Sequence, residues 1–356
     1  TTGALGGPLV VTVGGDTDRQ HERRKGFVNN FGDLGDLRRD EDDTVRSTDF
    51  YAQAEWEFAP RWSATAGIRT STVRYSSVDH YITAANPDDS GSQRFEDTSP
   101  VFGLVFHALP ELNVYASYGE GFETPTFAEL AYRPGGTGLN FALQPATSRA
   151  AEIGVKYRIG DRHRINVAIF NVDTSNEIIV DTATGGRTTY KNAGATRRRG
   201  AEALWDGKFG YGVQAHVALT YLRAEFVDDF TTGTPPVLVP AGARLPAVPA
   251  KQAYGELAWI PGGWYGLDTA LEVQYVDKLY VNERNSDAAP AWTVVNARLG
   301  FGQVSGSATW REFVRVNNLF DRNYAGSVIV GDTNGRFFEP APGRNWFVGA
   351  SVEVRL

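Results

Sequence analysis

Arginines set beside aromatic rings, in stretches rich in glycine, proline, asparagine and aspartate, are the residues of this chain best suited to meeting a ligand. They are Arg38 and Arg39, His80 and Tyr81, Tyr132 and Arg133, Arg187 and Tyr190, and Arg336 with Phe337 and Phe338. Guanidinium forks match carboxylates, and ring faces stack on flat or cationic groups. The chemistry implied is recognition of an anionic, flat or chelated small molecule. The competing reading is that each arginine pairs with a nearby acid such as Asp40, Glu41 or Glu339.

Catalytic patterns are missing. There is no cysteine, so no thiolate nucleophile, thiolate metal site or disulfide exists. The five histidines, at 21, 80, 107, 163 and 216, show no HExxH spacing, and neither GxSxG nor a phosphate loop occurs. The run Asp40-Glu41-Asp42-Asp43 offers oxygen ligands without the spacing of a calcium loop, and reads as a solvated loop. Arg197-Arg198-Arg199 would alternate faces on a strand, which suits local ion pairing better than nucleic acid. The net charge of -7 also speaks against a nucleic-acid partner. No enzyme, metal site or cofactor is expected.

The elements that must position these residues are strands. Residues Trp346, Val348, Ala350, Val352, Val354 and Leu356 alternate with Gly349, Ser351, Glu353 and Arg355, and similar alternation recurs along the chain. Fourteen such segments are expected, near 8–24, 47–58, 61–77, 95–108, 112–122, 147–159, 163–180, 187–209, 211–227, 246–260, 265–282, 291–302, 307–320 and 345–356. Their connections alternate between short turns and long loops. The long ones fall at 25–46, 78–94, 123–146, 228–245, 283–290 and 321–344, with a shorter one near 181–186. No run approaches the ~18 apolar residues of a membrane-spanning helix. One apolar face and one polar face per long strand, with aromatics (Phe58, Trp62, Trp259, Trp264, Trp310, Trp346) near strand ends, predicts an all-β transmembrane antiparallel barrel. A soluble sandwich would rarely sustain such long strands, and a propeller would show a blade-length repeat. The chain lacks methionine, including at position 1, and shows no signal peptide at its start, so it reads as a processed chain or fragment.

Five segments, in order, resemble the barrel of TonB-dependent receptors. They are Gly119–Leu130 (GEGFETPTFAEL), Leu143–Lys156 (LQPATSRAAEIGVK), Asn192–Glu202 (NAGATRRRGAE), Asn317–Tyr324 (NNLFDRNY) and Pro342–Gly349 (PGRNWFVG). Within the family the likeness is nearest to a branch that includes the pyrroloquinoline-quinone receptor of enterobacteria. It is carried by Leu37–Asp42, Asp79–Tyr81, Asn86–Gly91, Gly185–Gly194, Gly326–Val330 and Asn334–Pro340.

The resemblance implies an outer-membrane receptor of a Gram-negative bacterium, with long loops outside the cell and both chain ends in the periplasm. It implies a 22-stranded barrel and an amino-terminal plug. Residues 1–356 read as its carboxyl-terminal barrel part, about fourteen strands, with plug and TonB box absent. Two details depart from the pattern: Ala146 stands where glutamate is commoner, and the last residue is Leu356, not Phe or Trp. The implied cargo is a ferric siderophore or iron chelate, or a cofactor like pyrroloquinoline quinone. The implied partners are TonB-ExbB-ExbD through the plug, lipopolysaccharide, and the small-molecule ligand of a monomeric receptor. The rival reading is a passive or facilitated channel of about fourteen strands. Glu152 and Glu202 are expected to face the lumen. Asn317–Tyr324 is expected to be architectural, tucking Leu319 and Phe320 into a local cluster.

Overall fold

The computed structural model describes residues 6–135, 138–184, 187–233 and 235–355. Leu356, residues 1–5, and Gly185 and Gly186 of one quoted motif lie outside the described residues.

Fourteen strands pair in chain order into one antiparallel sheet. They are β1 (Leu9–Asn30), β2 (Asp33–Ala59), β3 (Trp62–Asp79), β4 (Gly91–Leu109), β5 (Leu112–Glu123), β6 (Ala146–Ile159) and β7 (His163–Ser175). There follow β8 (Thr196–Lys208), β9 (Val213–Phe226), β10 (Lys251–Trp259), β11 (Asp268–Val276), β12 (Trp292–Ser305), β13 (Ala308–Asn317) and β14 (Asn345–Val354). The count is the one the alternation predicts. Among the described residues no pairing joins β1 to β14, so both are edges of the sheet.

The two faces differ as lipid and water require. Ala116, Ile153, Ile169, Ala201 and Tyr221 stand in register across β5 to β9. Leu257, Leu271 and Ala297 do so across β10 to β12. Ile169, Leu257 and Leu271 each leave more than half of their surface uncovered. A continuous aliphatic belt exposed to this extent is stable against lipid and unfavourable in water. The opposite face carries Glu152, Glu202, Glu256, Glu272 and Asn296 in their own registers. Glu152 accepts a hydrogen bond from the Tyr115 hydroxyl at 2.6 Å. Glu272 is buried and takes both terminal nitrogens of Arg315, at 2.5 and 2.6 Å.

At one end of the sheet every connection is short. Aromatic side chains cluster there: Trp56, Phe58, Trp62 and Phe106 form a chain of ring contacts, and Trp205–Phe209 and Trp259–Trp264 form two more. Amphipathic rings at headgroup depth account for this girdle. The turn into β11 needs glycine. Gly266 has φ +67°, and a Cβ there would lie 1.9 Å from the Gly302 carbonyl oxygen.

Two connections differ from expectation at the other end. Residues 25–46 are not a loop: β1 and β2 run on and meet in a two-residue turn at Phe31 (φ 57°) and Gly32 (φ 105°). Positive φ at both central positions is the geometry that follows strand twist, and the Gly32 N–H donates to the Asn29 side chain at 2.7 Å. Phenylalanine at the first of these positions conceals the turn from a sequence reading. The segment 187–209 is not one strand either. Arg187–Asn192 pairs with Ile178–Thr184 as a separate hairpin, and β8 begins only at Thr196. Residues 181–184 of the expected short loop near 181–186 are strand, the last three of them paired to residues 187–189.

The acidic run is likewise not a solvated loop. On β2, Asp40 and Asp42 face one way and Glu41 and Asp43 the other, where both are buried. In Asn317–Tyr324, Leu319 is partly buried but Phe320 is 73% exposed. The knot is Asn318, which is buried with φ 52°. Its N–H donates to the Asn296 side chain, and its own amide group bridges the backbone of Arg322. Architecture it is, built on an asparagine and not on the apolar pair.

Candidate functional site

Beyond β5 the chain leaves the sheet with Pro125, which has no N–H to donate to a ladder. Thr126 and Glu129 cap the short helix Phe127–Leu130 reciprocally, each side chain meeting the other residue's N–H. The segment then folds over the polar face of β2, β3 and β4. Leu130, Leu139 and Leu143 bury themselves against Tyr75 and Phe95, with Tyr190 partly buried beside them. The Tyr75 hydroxyl donates to the Pro125 carbonyl at 2.6 Å.

Asn192 fastens this segment to the 178–192 hairpin. Its side chain accepts from the Gln144 N–H and donates to the carbonyls of Gln144 and Asn176, all at 2.8 Å. Asn140 adds a bond to the Tyr190 carbonyl at 3.1 Å. Tyr132 and Arg187 are thereby brought to the extended β1–β2 hairpin.

Where the three segments meet, three guanidinium groups surround one ring. The Tyr132 centroid lies 4.8 Å from Arg39, 5.4 Å from Arg187 and 5.5 Å from Arg24. The cleft around it measures about 290 Å³ and is also lined by Lys25, Arg38 and Glu41. Arg39 is held by the Ala131 carbonyl at 3.2 Å and by Glu41 at 3.3 Å. Burial pushes the Glu41 and Asp43 carboxyls above their ordinary range, and one oxygen of each has no partner. On the other side of the strand the Arg23 hydrogen bond holds Asp40 below that range. The cleft thus presents a cationic wall with an aromatic centre, a suitable seat for an anionic and partly flat group.

Of the residues marked in the sequence, Arg38, Arg39, Tyr132 and Arg187 line this cleft. Arg133 stands beside it, paired to Asp89 at 2.8 Å. His80 is turned to Asp42 at 2.8 Å, the N–H of Tyr81 caps Asp79, and Tyr190 belongs to the apolar cluster. Arg336, Phe337 and Phe338 lie in a different loop. The Arg336 N–H binds Asp332 at 2.8 Å, and the two rings meet at 6.3 Å. Arg24 went unmarked, and Glu41, named as a possible partner for an arginine, is buried and pairs with Arg39; the signal for both is alternation that continues past residue 24 through the polar stretch 25–46. The arginine triplet pairs locally: Arg197 with Asp173, Arg198 with Glu177, and Arg199 with Asn171. Among the described residues no group of three or more histidines and carboxylates could hold a metal ion.

Residues 1–319 match the family model described as TonB dependent receptor-like, beta-barrel. The chain is 27% identical over 290 residues to the metal-pseudopaline receptor of Pseudomonas aeruginosa (strain UCBPP-PA14), covering 76% of this chain and 36% of that protein. It is 28% identical over 216 residues to the ferrichrome outer membrane transporter/phage receptor of Escherichia coli K12, covering 60% and 27%. The fold superposes on the siderophore receptor PiuA of Acinetobacter baumannii with a TM-score of 0.78 at 19% identity, covering 97% of this chain and 53% of that one. The chain therefore spans about a third of the length of these two curated relatives and about half of that solved receptor. With its fourteen-stranded two-faced sheet and a match over residues 1–319, the chain belongs to the TonB-dependent receptor family, as a stretch of its barrel.

Proposed function

We propose that the protein is an outer-membrane receptor that captures an anionic metal chelate, of the siderophore class, and takes it up by TonB-coupled transport. The observation that carries this reading is the meeting of Arg24, Arg39 and Arg187 around Tyr132. Family membership supports the transport class, and the relatives' names point to chelated metals as cargo. In this reading residues 1–356 are the carboxyl-terminal barrel part of a longer receptor. The long connections face outward, the girdle end faces the periplasm, and coupling to TonB-ExbB-ExbD passes through a plug. The receptor works as a monomer, with lipopolysaccharide around the outer rim of the belt.

A flat polycarboxylate such as pyrroloquinoline quinone is the second reading, favoured by three guanidinium groups placed around a single ring. Uptake of radiolabelled ferric siderophores and of the quinone by cells carrying the complete receptor separates the two. Uptake abolished by an uncoupler supports energised transport. Uptake that persists with the membrane de-energised points instead to a passive channel.

A further inference from the structure

A second cleft lies on the other side of the 178–192 hairpin, and its charge is opposite. It measures about 480 Å³ and is lined by residues 180–182, 232, 233, 235, 237, 282–284, 331–333, 335 and 337. Two backbone contacts close it: the Gly331 N–H donates to the Val281 carbonyl at 2.9 Å, and the Thr333 N–H to the Ala183 carbonyl at 3.3 Å. Its lining holds three carboxylates, Asp181, Glu283 and Asp332, against one arginine, Arg284.

Two of those acids are occupied. Asp181 takes Lys191 at 2.8 Å. Asp332 accepts the backbone N–H groups of Asn334 and Arg336 and meets the Arg336 guanidinium at 3.8 Å. Glu283 is different. It is 4% exposed, lines the cleft and is met by its own backbone N–H. Among the described residues no cation comes within ion-pair distance of it. The nearby Lys191 is committed to Asp181, to the Thr231 carbonyl at 2.7 Å and to the Phe230 ring. A carboxylate this deeply buried is normally paired or coordinated, and burial, with the Asp181 charge nearby, pushes Glu283 above the ordinary range. Phe337 supplies an aromatic wall to the same cleft.

We infer that this cleft is a binding site for a protonated amine, with Glu283 as the counter-ion and the Phe337 ring as the wall on which the ammonium-bearing chain rests. An ammonium group fits better than a bare metal ion. It needs one buried acceptor and an aromatic face, both of which are here, whereas no group of three or more histidines and carboxylates among the described residues is placed to hold a metal ion. The site is separate from the cationic cleft and would hold an amine whether or not that cleft carries the transported ligand.

The test is calorimetric titration of the complete receptor with 1,5-diaminopentane, and with 1,5-pentanediol as the uncharged control. The diamine should bind, the diol should not, and Glu283→Gln should weaken the diamine by tenfold or more. Phe337→Leu should weaken it by severalfold. An unchanged thermal transition shows that the near-isosteric Glu283→Gln protein is folded, and Arg39→Ala should leave diamine binding intact. No diamine binding in the wild type, equal binding of the diol, or full affinity in folded Glu283→Gln each overturns the assignment.

Discussion

Asn192→Ala should undo the latch that assembles the cationic cleft, and its size follows from the hydrogen bonds. The side chain makes three bonds of 2.8 Å, two to the backbone of Gln144 and one to that of Asn176. A neutral bond contributes about 1 kcal/mol net, and these are partly open to water that would replace them. About 2 kcal/mol of docking energy for residues 124–145 is then at stake. Each 1.4 kcal/mol is tenfold, so local opening should rise roughly 10- to 30-fold. Hydrogen exchange read by mass spectrometry is the assay, on peptides covering 124–145 and on peptides from β6 to β9. Exchange should accelerate in the first set and stay unchanged in the second, because the strand ladders do not involve this side chain. Ligand affinity should fall with it, since Tyr132 sits on the released segment. Unchanged exchange over 124–145, or acceleration spread through the strands, would refute the latch.

Other perturbations probe other parts of the molecule. Ile169→Arg places a charge in the middle of the aliphatic belt and should cost about 2–4 kcal/mol near the bilayer midplane, visible as loss of the heat-resistant folded band after assembly into lipid. Gly266→Ala meets both a positive φ and the Gly302 carbonyl, so folded yield should fall sharply while a substitution at Gly306, where a Cβ has open space, should cost less. Glu41 and Asp43 have folded-state pKa values raised by burial, so protons favour the folded β1–β2 extension. That contribution is complete below the ordinary carboxylate value of about 4 and is lost as pH rises through the raised values. Exchange protection around residues 39–43 should therefore decline from about pH 4 toward neutrality, and Glu41→Gln should flatten part of the slope; a protection profile that rises with pH in both proteins contradicts the burial argument.

The sheet was legible in the sequence because period-two alternation is set by lipid on one side of each strand, and lipid makes the same demand on all fourteen. The β1–β2 extension was not, because beyond the membrane nothing requires an apolar face: Arg23, Arg24, Lys25 and Asp40–Asp43 alternate between partners instead of between solvents. The strand-like reading of 187–209 failed at Ala193–Ala195, where the ladder stops without a proline or a long polar run to mark it. For the site, residue chemistry marked Arg38, Arg39, Tyr132 and Arg187 among its candidates, and these four line one cleft. It could not show that these four converge while Arg336, Phe337 and Phe338 stand in another loop. That depends on Asn192 and on the apolar packing of Leu130, Leu139 and Leu143, long-range contacts with no local signature. Glu283 escaped notice for the same reason: only the closing of three loops makes it buried.

The central claim is that the cationic ring around Tyr132 binds the ligand. Calorimetry on the complete receptor tests it, with ferric siderophores, other metal chelates and pyrroloquinoline quinone titrated into the wild type and into an Arg24→Ala, Arg39→Ala, Arg187→Ala triple variant. Charge-assisted bonds contribute about 1.5–3 kcal/mol each, so an anionic member of the panel should bind the wild type and lose at least about 100-fold in the triple variant. Full affinity in a folded triple variant, or binding confined to uncharged and cationic ligands, would contradict the account.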